Sequence, residues 1–415
     1  MTRSDTLREQ ARILDEWLGA RLATVVPRIM ERCGIDCWVL VAGEYNEDPV
    51  VSTMLPATWL SARRRTILVF TEFGRKRVAI ARYAVGAAFP AEWSADQQAN
   101  QWHRLAEYLE EANPQRIGVN LSPAFSLADG ISASDHAALL EVLPDRLRQR
   151  VVPGHELALG WLETRTPEEM QLYPEVCRRA HDLLRRALSH EVIAPGTTAT
   201  GDVEWWLRQT VADSGYDTWF HPTVSVQRYL DGPAPESFAA RPADTTILAG
   251  DLVHIDFGIV YLGLHTDQQQ HGYVRRSNEI DAPPGMRAGM AAANRVQDLL
   301  LAEFASGRTG NEILSATLRR CDAEGLSATI YSHPIGLHGH GAGPTIGLWD
   351  KQDGVGGAGE YPLHPDTAYS IELAATTPVP EWQGQEVRIM LEEDAFFDGD
   401  DISFLDGRQT ELWLI

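Results

Sequence analysis

The chain opens with apolar residues at helical spacing and continues with short apolar runs that are typical of strands. Residues 5–32 have the pattern of an amphipathic helix. A strand is predicted at Cys37–Ala42, and a β-hairpin is predicted in RTILVFTEFGRKRVAIARY, with its turn at residues 73–76. Because the pattern alternates between the helical and the strand period, we expect these elements to pack as helix and sheet layers.

The same alternation continues to about residue 150. DQQANQWHRLAEYLEEANP and ASDHAALLEVL have helical patterns, and RIGVNLS between them is typical of a strand. These elements predict a small α/β domain, which we place at residues 1–160. A chain of 415 residues exceeds the usual size of one domain, so residues 161–415 are expected to form a second domain.

A new helix is predicted at the start of the second domain. Thr166 is a suitable N-cap, Pro167 would occupy the first helical position, and Glu169 would complete a capping box. The apolar face of this helix would consist of Tyr173, Val176, Ala180, Leu183, Leu184, Ala187 and Leu188.

The rest of the second domain is predicted to mix helices with strands. APGTTATGDVEWWLRQTVADSG predicts a turn and a helix that ends at Gly215, and further helices are expected at about 287–305 and 310–324. The glycine-rich DGVGGAGEYPLHP, which begins at Asp353, is predicted to be a surface loop.

Composition and charge exclude several classes of protein. The longest apolar runs have the length of strands, so we expect no membrane span. The first residues are charged throughout and lack the apolar region of a secretory signal, so a cytoplasmic location is expected. A net charge of -22 argues against nucleic-acid binding, because phosphate backbones require a basic surface.

The four cysteines do not indicate a disulfide framework or a zinc site. Cys33, Cys37, Cys177 and Cys321 are too few and too scattered for the former. No second pair accompanies Cys33 and Cys37 to complete a zinc site. We expect all four to be reduced structural thiols.

Acidic residues occur inside apolar strand patterns of the second domain. In AGDLVHIDFGIVYLGLHTDQQQHGYV, Leu252, His254 and Asp256 share one face of a strand by period two. Asp267 lies on the next extended segment and could face Asp256 across an antiparallel pair. Glu372 occurs in DTAYSIELAATTP and Glu392 in EVRIMLEEDAFF. Burying such acids is costly unless something neutralises them.

A pair of divalent cations would neutralise this set of carboxylates. Carboxylates can bridge two ions, an imidazole can complete one shell, and a shared water becomes a hydroxide nucleophile near neutral pH. The imidazole is available in YSHPIGLHGHGAGPTIG, a segment rich in histidine and glycine that begins at Tyr331. The predicted ligands are Asp256, Asp267, His333, Glu372 and Glu392.

The order of these residues resembles a known family. An Asp, a second Asp eleven residues later, the His of HPIG, the Glu of SIEL and the Glu of LEED resemble the metallopeptidase family of methionine aminopeptidase, aminopeptidase P and prolidase. The likeness extends from about Thr166 to the C-terminus, and the preceding domain resembles that of the creatinase, prolidase and aminopeptidase P branch. The resemblance implies an α/β N-terminal domain followed by an α+β catalytic domain with the pita-bread fold.

The resemblance also implies cofactors and partners. It implies two divalent metal ions per chain and favours manganese, with cobalt, iron or zinc also compatible with oxygen-rich ligation. The implied substrate is a short peptide or a small amide, and the implied assembly is a homodimer.

The resemblance assigns the histidines only after a choice of register. His333, His338 and His340 each begin a match to the family's His-x-x-Gly motif. We prefer His333 as the ligand, because only that register leaves His340 at the place of the family's second, substrate-contacting histidine. Glu372 would then take and return the proton, and His340 would stabilise the oxyanion.

The sequence does not assign a definite role to several residues near the predicted ligands. His254, His265 and His271 alternate with the acids and are either donors behind the ligands or simply packed residues. His221 and Arg388 have no assigned role, since three residues separate Arg388 from Glu392 whereas the family's arginine lies just ahead of its last ligand.

The two acids that follow Glu392 have a plainer interpretation. Glu393 and Asp394 are expected to be solvated neighbours of the site rather than ligands.

Two departures from the family keep the substrate open. PESFAARPADTT lacks the histidine that the peptidases carry before the first Asp, and DQQQHGYV replaces their hydroxyl residue and arginine. The leading hypothesis is an Xaa-Pro aminopeptidase or prolidase. The alternatives are a non-peptide hydrolase or lyase on the same fold, like creatinase, ectoine hydrolase or a sulfoniopropionate lyase, and a binding pseudoenzyme.

Overall fold

The computed structural model describes residues 6–98, 100–229 and 243–415. They fall into two compact units, Asp5–Thr166 and Pro167–Ile415. The division lies between Thr166 and Pro167, whereas the predicted domain boundary after residue 160 lies within the helix His155–Glu163.

The first unit is built on a mixed sheet with helices. Its helices α1 to α6 span Leu7–Cys33, Pro49–Ser52, Gln101–Ala112, Ala133–Val142, Asp145–Arg148 and His155–Glu163. Its strands β1 to β5 span Cys37–Ala42, Thr66–Thr71, Lys76–Ile80, Ile117–Val119 and Val151–Pro153. Within the described part of this unit they form one sheet in the order β3-β2-β1-β4-β5. The predicted α/β architecture is confirmed.

The central strands of this sheet explain the continuous apolar runs of the sequence. All residues of β1 and β2 are buried, which requires cover on both faces of the sheet. On one face, Leu105 and Leu109 of α3 and Leu139 of α4 join Val39 and Val69 in one apolar core.

The second unit combines four helices with a large sheet in its described part. Helices α7 to α10 span Pro167–Ala187, Thr200–Asp213, Pro284–Leu301 and Gly310–Ala323. Strands β6 to β16 span Thr223–Gln227, Leu252–Phe257, Val260–Tyr261, Leu264–His265, Gln268–Tyr273, Ser327–Ile330, His333–Ile335, Thr367–Val379, Gln385–Phe397, Ile402–Phe404 and Trp413–Leu414. The main path of the sheet runs β11-β13-β14-β10-β7-β6.

The strand register brings polar residues of four neighbouring strands into one row. Asp256 of β7 lies opposite Gln269 of β10, Gln269 lies opposite Glu392 of β14, and Glu392 lies opposite Glu372 of β13. Directly opposed residues point to the same face of a sheet. The row therefore crosses the sheet on one face, with three carboxylates and one amide.

The glycine-rich segment after Asp353 is more buried than predicted. Val355, Gly359 and Leu363 are buried, and Leu363 is fully covered. The side chain of Asn311 in α10 accepts a hydrogen bond from the backbone N–H of Val355 and donates one to its carbonyl. The rest of the segment is exposed or half-buried, so the predicted surface loop is confirmed apart from these three residues, which α10 helps to hold against the unit.

Two further predictions concern the chain as a whole. All four cysteines are free thiols, as predicted, and Cys37, Cys177 and Cys321 are buried. Among the residues that the structure describes, none of the helices has both the length and the apolar character needed to cross a membrane.

Candidate metal centre

The five predicted ligands converge at the row of opposed strand residues. Asp267 lies one residue before β10, and His333 is the first residue of β12, which pairs with β13. Ligand atoms of Asp256, Asp267 and Glu392 lie within 4.8 Å of one another, and so do those of His333, Glu372 and Glu392. Glu392 belongs to both groups and connects them.

The geometry of His333 suits a metal ligand better than a hydrogen-bonded residue. Its Nε2 lies 3.9 Å from Oδ2 of Asp267 and 3.8 Å from Oε1 of Glu392. These distances are too long for hydrogen bonds but compatible with two ligands that each lie about 2.1 Å from one ion. Nδ1 lies 3.0 Å from the carbonyl of Pro334, so a proton on Nδ1 leaves the Nε2 lone pair directed at the acids.

Three buried atoms of the cluster lack a hydrogen-bond partner among the described residues. They are Oδ1 of Asp256, Oδ1 of Asp267 and Nε2 of His333. Polar atoms are rarely buried without a partner. All three are electron-pair donors that face the same space, so this chemistry fits divalent cations.

The carboxylates cannot all be ionised unless positive charge is supplied. Burial raises the pKa values of Asp256, Asp267 and Glu372 well above their usual range, and the nearby carboxylate of Glu392 raises them further. Burial also raises the pKa of Glu392 to about 7. Bound cations would reverse these shifts, because an opposite charge favours the ionised form.

The imidazole of His333 is neutral near pH 7. Burial, together with the neighbouring imidazole of His340, lowers the pKa of His333 to about 3. A metal ligand must be the unprotonated imidazole.

Gln269 holds two of the predicted ligands and was missed by sequence reasoning. Its Nε2 donates to Oε1 of Glu372 at 2.9 Å and to Oε2 of Glu392 at 2.7 Å. Its Oε1 lies 2.9 Å from Nε2 of His254, and Ser370 donates to the other oxygen of Glu392. The signal was present, since Gln269 belongs to the DQQQ segment in which this chain departs from the family.

The three histidines with open roles lie in different environments. His254 contacts the Gln269 amide and therefore lies behind the ligands. His271 is fully buried, and its Nε2 accepts the backbone N–H of Met390. Nδ1 of His265 lies 3.0 Å from the carbonyl of Gly336.

His221 and Arg388 are placed by other contacts. Nε2 of His221 lies 3.3 Å from Glu204, and its Nδ1 lies 3.2 Å from the guanidinium of Arg208, both on α8. The backbone of Arg388 exchanges hydrogen bonds with the side chain of Gln227. Burial lowers the pKa of His254 to about 4, with a smaller contribution from the charge of Arg388. The same charge partly opposes the burial that raises the pKa of Glu372.

The prediction that Glu393 and Asp394 are solvated is wrong. Glu393 is fully buried on the opposite face of β14 from Glu392, where it accepts hydrogen bonds from Gln270 and the backbone of Gln409. It also lies 2.6 Å from Nε2 of His181, whose other ring nitrogen contacts Asp406.

Asp394 is also buried, on the ligand side of β14. Both of its carboxylate oxygens lie 3.3 Å from the backbone N–H of Asp267, and it accepts a hydrogen bond from the thiol of Cys177. Strand alternation explains the two orientations. The Glu393 side chain points away from the ligand side of the sheet, and the Asp394 side chain points to the ligand side, where it contacts the backbone of Asp267.

Four of the five predicted ligands, all except His333, line a cavity of about 350 Å³ whose lining is rich in aromatic residues. Trp219, Phe220, Tyr331 and Trp349 contribute aromatic rings to the lining, and the Tyr331 ring lies 6.1 Å from that of His340. The remaining lining residues are Gln269, His340, Leu348 and Asp350. A volume near the lower end of the range for small-molecule sites suits a small substrate.

Two glycines make room for the Trp219 indole. A Cβ on Gly339 would lie 2.5 Å from the indole ring, and one on Gly258 would lie 2.6 Å from its Nε1. The same Nε1 donates to the carbonyl of Thr266 at 3.0 Å, next to a predicted ligand. Close backbone approach is the general use of glycine, and here it serves the cavity wall.

The histidines of the glycine-rich segment separate in space. The ring of His340 lies 4.8 Å from that of His333, and His340 lines the cavity. A ligand atom of His340 also lies within 4.8 Å of Asp267. The His338 ring instead stacks at 6.3 Å on His265.

Comparison with known proteins agrees with this arrangement. The sequence model of Metallopeptidase family M24 matches residues 171–395. No curated protein sequence matches the chain significantly. An X-Pro aminopeptidase from Thermotoga maritima is similar in structure, with a TM-score of 0.66, 15% identity, and coverage of 94% of this chain and 100% of that one.

Other solved structures show the same fold. A dipeptidase from Pyrococcus horikoshii has a TM-score of 0.64 at 17% identity, and covers 95% of this chain and 100% of its own. The N-terminal domain of a FACT complex subunit from Cicer arietinum has a TM-score of 0.57 at 11% identity, with coverage of 98% and 97%. At such identities the likeness shows the fold alone, which is the predicted pita-bread fold preceded by an N-terminal domain. Since the family match spans more than half of the sequence, the chain belongs to Metallopeptidase family M24.

Proposed function

We propose that the protein is a dinuclear-metal-dependent hydrolase that cleaves Xaa-Pro peptide bonds, as an aminopeptidase P or a prolidase does. Membership of the family supports a metallopeptidase-type hydrolase. The observation that carries the proposal is the convergence of four carboxylates and one imidazole, with unpartnered electron-pair donors, on a cavity of substrate size.

Five residues would hold the ions: Asp256, Asp267, His333, Glu372 and Glu392. When bound, two divalent cations supply Lewis acidity, which polarises a substrate carbonyl and lowers the pKa of a water molecule. Gln269 would orient Glu372 and Glu392, because its amide donates to both carboxylates.

Glu372 is the proposed acid–base residue. It lines the cavity, and its Oε1 accepts a hydrogen bond from Gln269. Its carboxylate would take a proton from the attacking water and return that proton to the leaving nitrogen.

His340 is the proposed oxyanion donor. It lines the cavity beside His333, and burial lowers its pKa, so the ring is neutral at pH 7. A neutral imidazole N–H would donate to the oxygen on which charge develops, and such a donor is worth about 10²–10³ in kcat.

A hydrolysis screen tests the proposal. Metal-loaded protein is assayed with Xaa-Pro dipeptides, longer Xaa-Pro peptides and small amides, with the chelated protein and Glu372→Gln as controls. We expect Xaa-Pro cleavage by the loaded wild type, and little by either control. Metal-loaded protein that cleaves no Xaa-Pro peptide of any length would overturn the peptidase proposal.

A second candidate, a non-peptide hydrolase or lyase that uses the same ligands, is favoured by one specific observation. Gln269 touches two predicted ligands, and it belongs to the DQQQHGYV segment that replaces the family's hydroxyl residue and arginine. The other departure, in PESFAARPADTT, lies mostly outside the described residues. Turnover of a small amide or a lyase substrate without Xaa-Pro cleavage would favour this candidate. Manganese as the metal, a homodimer and a cytoplasmic location stay predictions.

A further inference from the structure

The charged residues that line the cavity are all acidic. Besides the four ligand carboxylates, the described lining contains one more acid, Asp350, and none of its residues is Lys or Arg. Two divalent cations would balance the four ligand carboxylates. Asp350 would then remain as a negative side chain that the metal centre does not neutralise.

Asp350 lies at the solvent side of the cavity, next to an aromatic residue. Asp350 is exposed, and the neighbouring Trp349 is 38% exposed while lining the same cavity. No salt bridge joins Asp350 to another residue of the described chain. A carboxylate and an indole in the lining of one cavity form a combination that suits organic cations, through Coulomb attraction and the cation–π interaction.

Another part of the cavity lining is aromatic and fixed in place. Trp219 is fixed by its hydrogen bond to the Thr266 carbonyl and by the close approach of Gly339. Its ring packs edge-to-face with His340 at 5.2 Å and with Phe220 at 4.4 Å. The lining therefore offers an occupant both aromatic surface and an additional carboxylate.

We propose that Asp350, with Trp349, selects substrates that carry an organic cation and disfavours substrates with an anionic group at the same place. This inference rests on the proposed hydrolytic function and narrows its substrate class. The cation is an ammonium group, supplied by the amino terminus of a peptide, by a basic side chain or by a small amine-bearing amide.

The long-range field of the unit acts in the same direction. Residues 167–415 contain 37 Asp and Glu against 17 Lys and Arg. Clefts lined by one sign of charge concentrate ions of the other sign. The preference for a cationic substrate is therefore expected to weaken as salt is added, because exposed charges are screened.

Matched substrates measure the preference and distinguish the sources of the cation. One pair is norleucyl-prolyl-alanine amide with a free and with an acetylated amino terminus, and the other replaces norleucine by lysine or by glutamate. We expect kcat/KM to be about fivefold higher for the cationic member of at least one pair, a magnitude typical of one partly exposed charge contact. Asp350→Asn should reduce that ratio to near one.

Asp353→Asn is the matched control, because it removes the same charge three residues away without touching the cavity lining. It should leave the ratio unchanged. Equal kcat/KM for lysine and glutamate peptides without an effect of acetylation would overturn the inference. An Asp350→Asn variant that keeps the full wild-type preference would overturn it equally.

A binding measurement keeps the inference testable if no peptide is cleaved. Quenching of tryptophan fluorescence in the metal-loaded protein is titrated with phenethyltrimethylammonium, which cannot coordinate a metal, and with neutral 2-phenylethanol. The cation should bind more tightly to the wild type, and its Kd should rise about fivefold in Asp350→Asn, while the Kd of the alcohol stays constant. Equal changes for both probes would contradict the role of Asp350.

Discussion

At the scale of single residues, Gln269 has the most informative contacts. A carboxamide that donates to two carboxylates reduces their repulsion without adding charge. The amide oxygen lies 2.9 Å from Nε2 of His254, so the tautomer with its proton on Nε2 donates to that oxygen. This leaves the amide nitrogen facing Glu372 and Glu392, so His254 acts on the ligands through Gln269.

Replacing Gln269 by Leu should therefore weaken metal binding. The variant keeps the approximate volume but leaves Glu372 and Glu392 without their shared donor, and losing such a contact typically costs about tenfold in metal affinity. Isothermal titration of Mn²⁺ measures the effect. Gln268→Leu is the control, because the Gln268 amide donates to the Cys177 carbonyl rather than to a ligand. Equal affinities of the two variants would contradict the role of Gln269.

The histidines of the glycine-rich segment are distinguished by metal content and turnover. His333→Ala should lower the metal content, because it removes a predicted ligand. His340→Ala should keep both ions and lose about 10²–10³ in kcat. His338→Ala serves as the control, since its ring packs on His265 away from the cavity. Loss of metal in His338→Ala would show that the chosen register is wrong.

At the scale of the elements, period-two alternation predicted which side chains of a strand face the candidate site. It did not predict the burial of side chains on the opposite face. The pattern around Asp256 was sufficient to predict a strand with an inward acid, and β7 has that arrangement. The run Glu392, Glu393 and Asp394 places acids on both faces of the strand, so alternation could not show that all three are buried. Their burial depends on long-range partners, such as His181 of α7, that a local pattern does not contain.

The His181 contacts make the free energy of unfolding depend on pH. Burial alone would lower the pKa of His181, but the carboxylates of Glu393 and Asp406 raise it to about 10, above its usual value of 6.5. The stabilisation is therefore fully present below about pH 6.5 and is lost as the pH rises through about 10. Denaturant unfolding across this window should show a decrease of at most about 5 kcal/mol, which corresponds to a pKa displaced from 6.5 to about 10.

Two variants isolate the contribution of His181 to that pH dependence. His181→Gln should flatten the decrease, because glutamine does not titrate. His190→Gln, at an exposed position near the end of the same helix, should leave it unchanged. A wild-type profile that His181→Gln does not alter would refute the ion pair.

At the scale of the whole molecule, the negative charge is distributed unevenly between the units. Residues 1–166 contain 21 acidic and 19 basic residues, so nearly all of the net charge of -22 belongs to residues 167–415. Within that part, several acids form the candidate centre, as the hypothesis of cation-held carboxylates requires. Sequence order was sufficient to propose the five candidate ligands. It could not show that Trp219 and Trp349, which are distant in sequence, line the same cavity.

The size of the cavity leads to a prediction about substrate length. A volume of about 350 Å³ lies near the lower end of the range for small-molecule sites. We therefore expect higher kcat/KM for Xaa-Pro dipeptides and tripeptides than for longer Xaa-Pro peptides with the same first two residues. A length series measured under one set of conditions checks this. Longer peptides that are cleaved as well as short ones would contradict it.

The most direct test of the central claim is a titration of hydrolytic activity with metal. Protein stripped by a chelator is supplied with increasing Mn²⁺, and cleavage of the best substrate is measured against metal bound per chain. Four carboxylates and one imidazole around one space predict no activity without metal and full activity at two ions per chain. Full activity in the presence of the chelator, or no bound metal after reconstitution with each candidate ion, would contradict the dinuclear hydrolase.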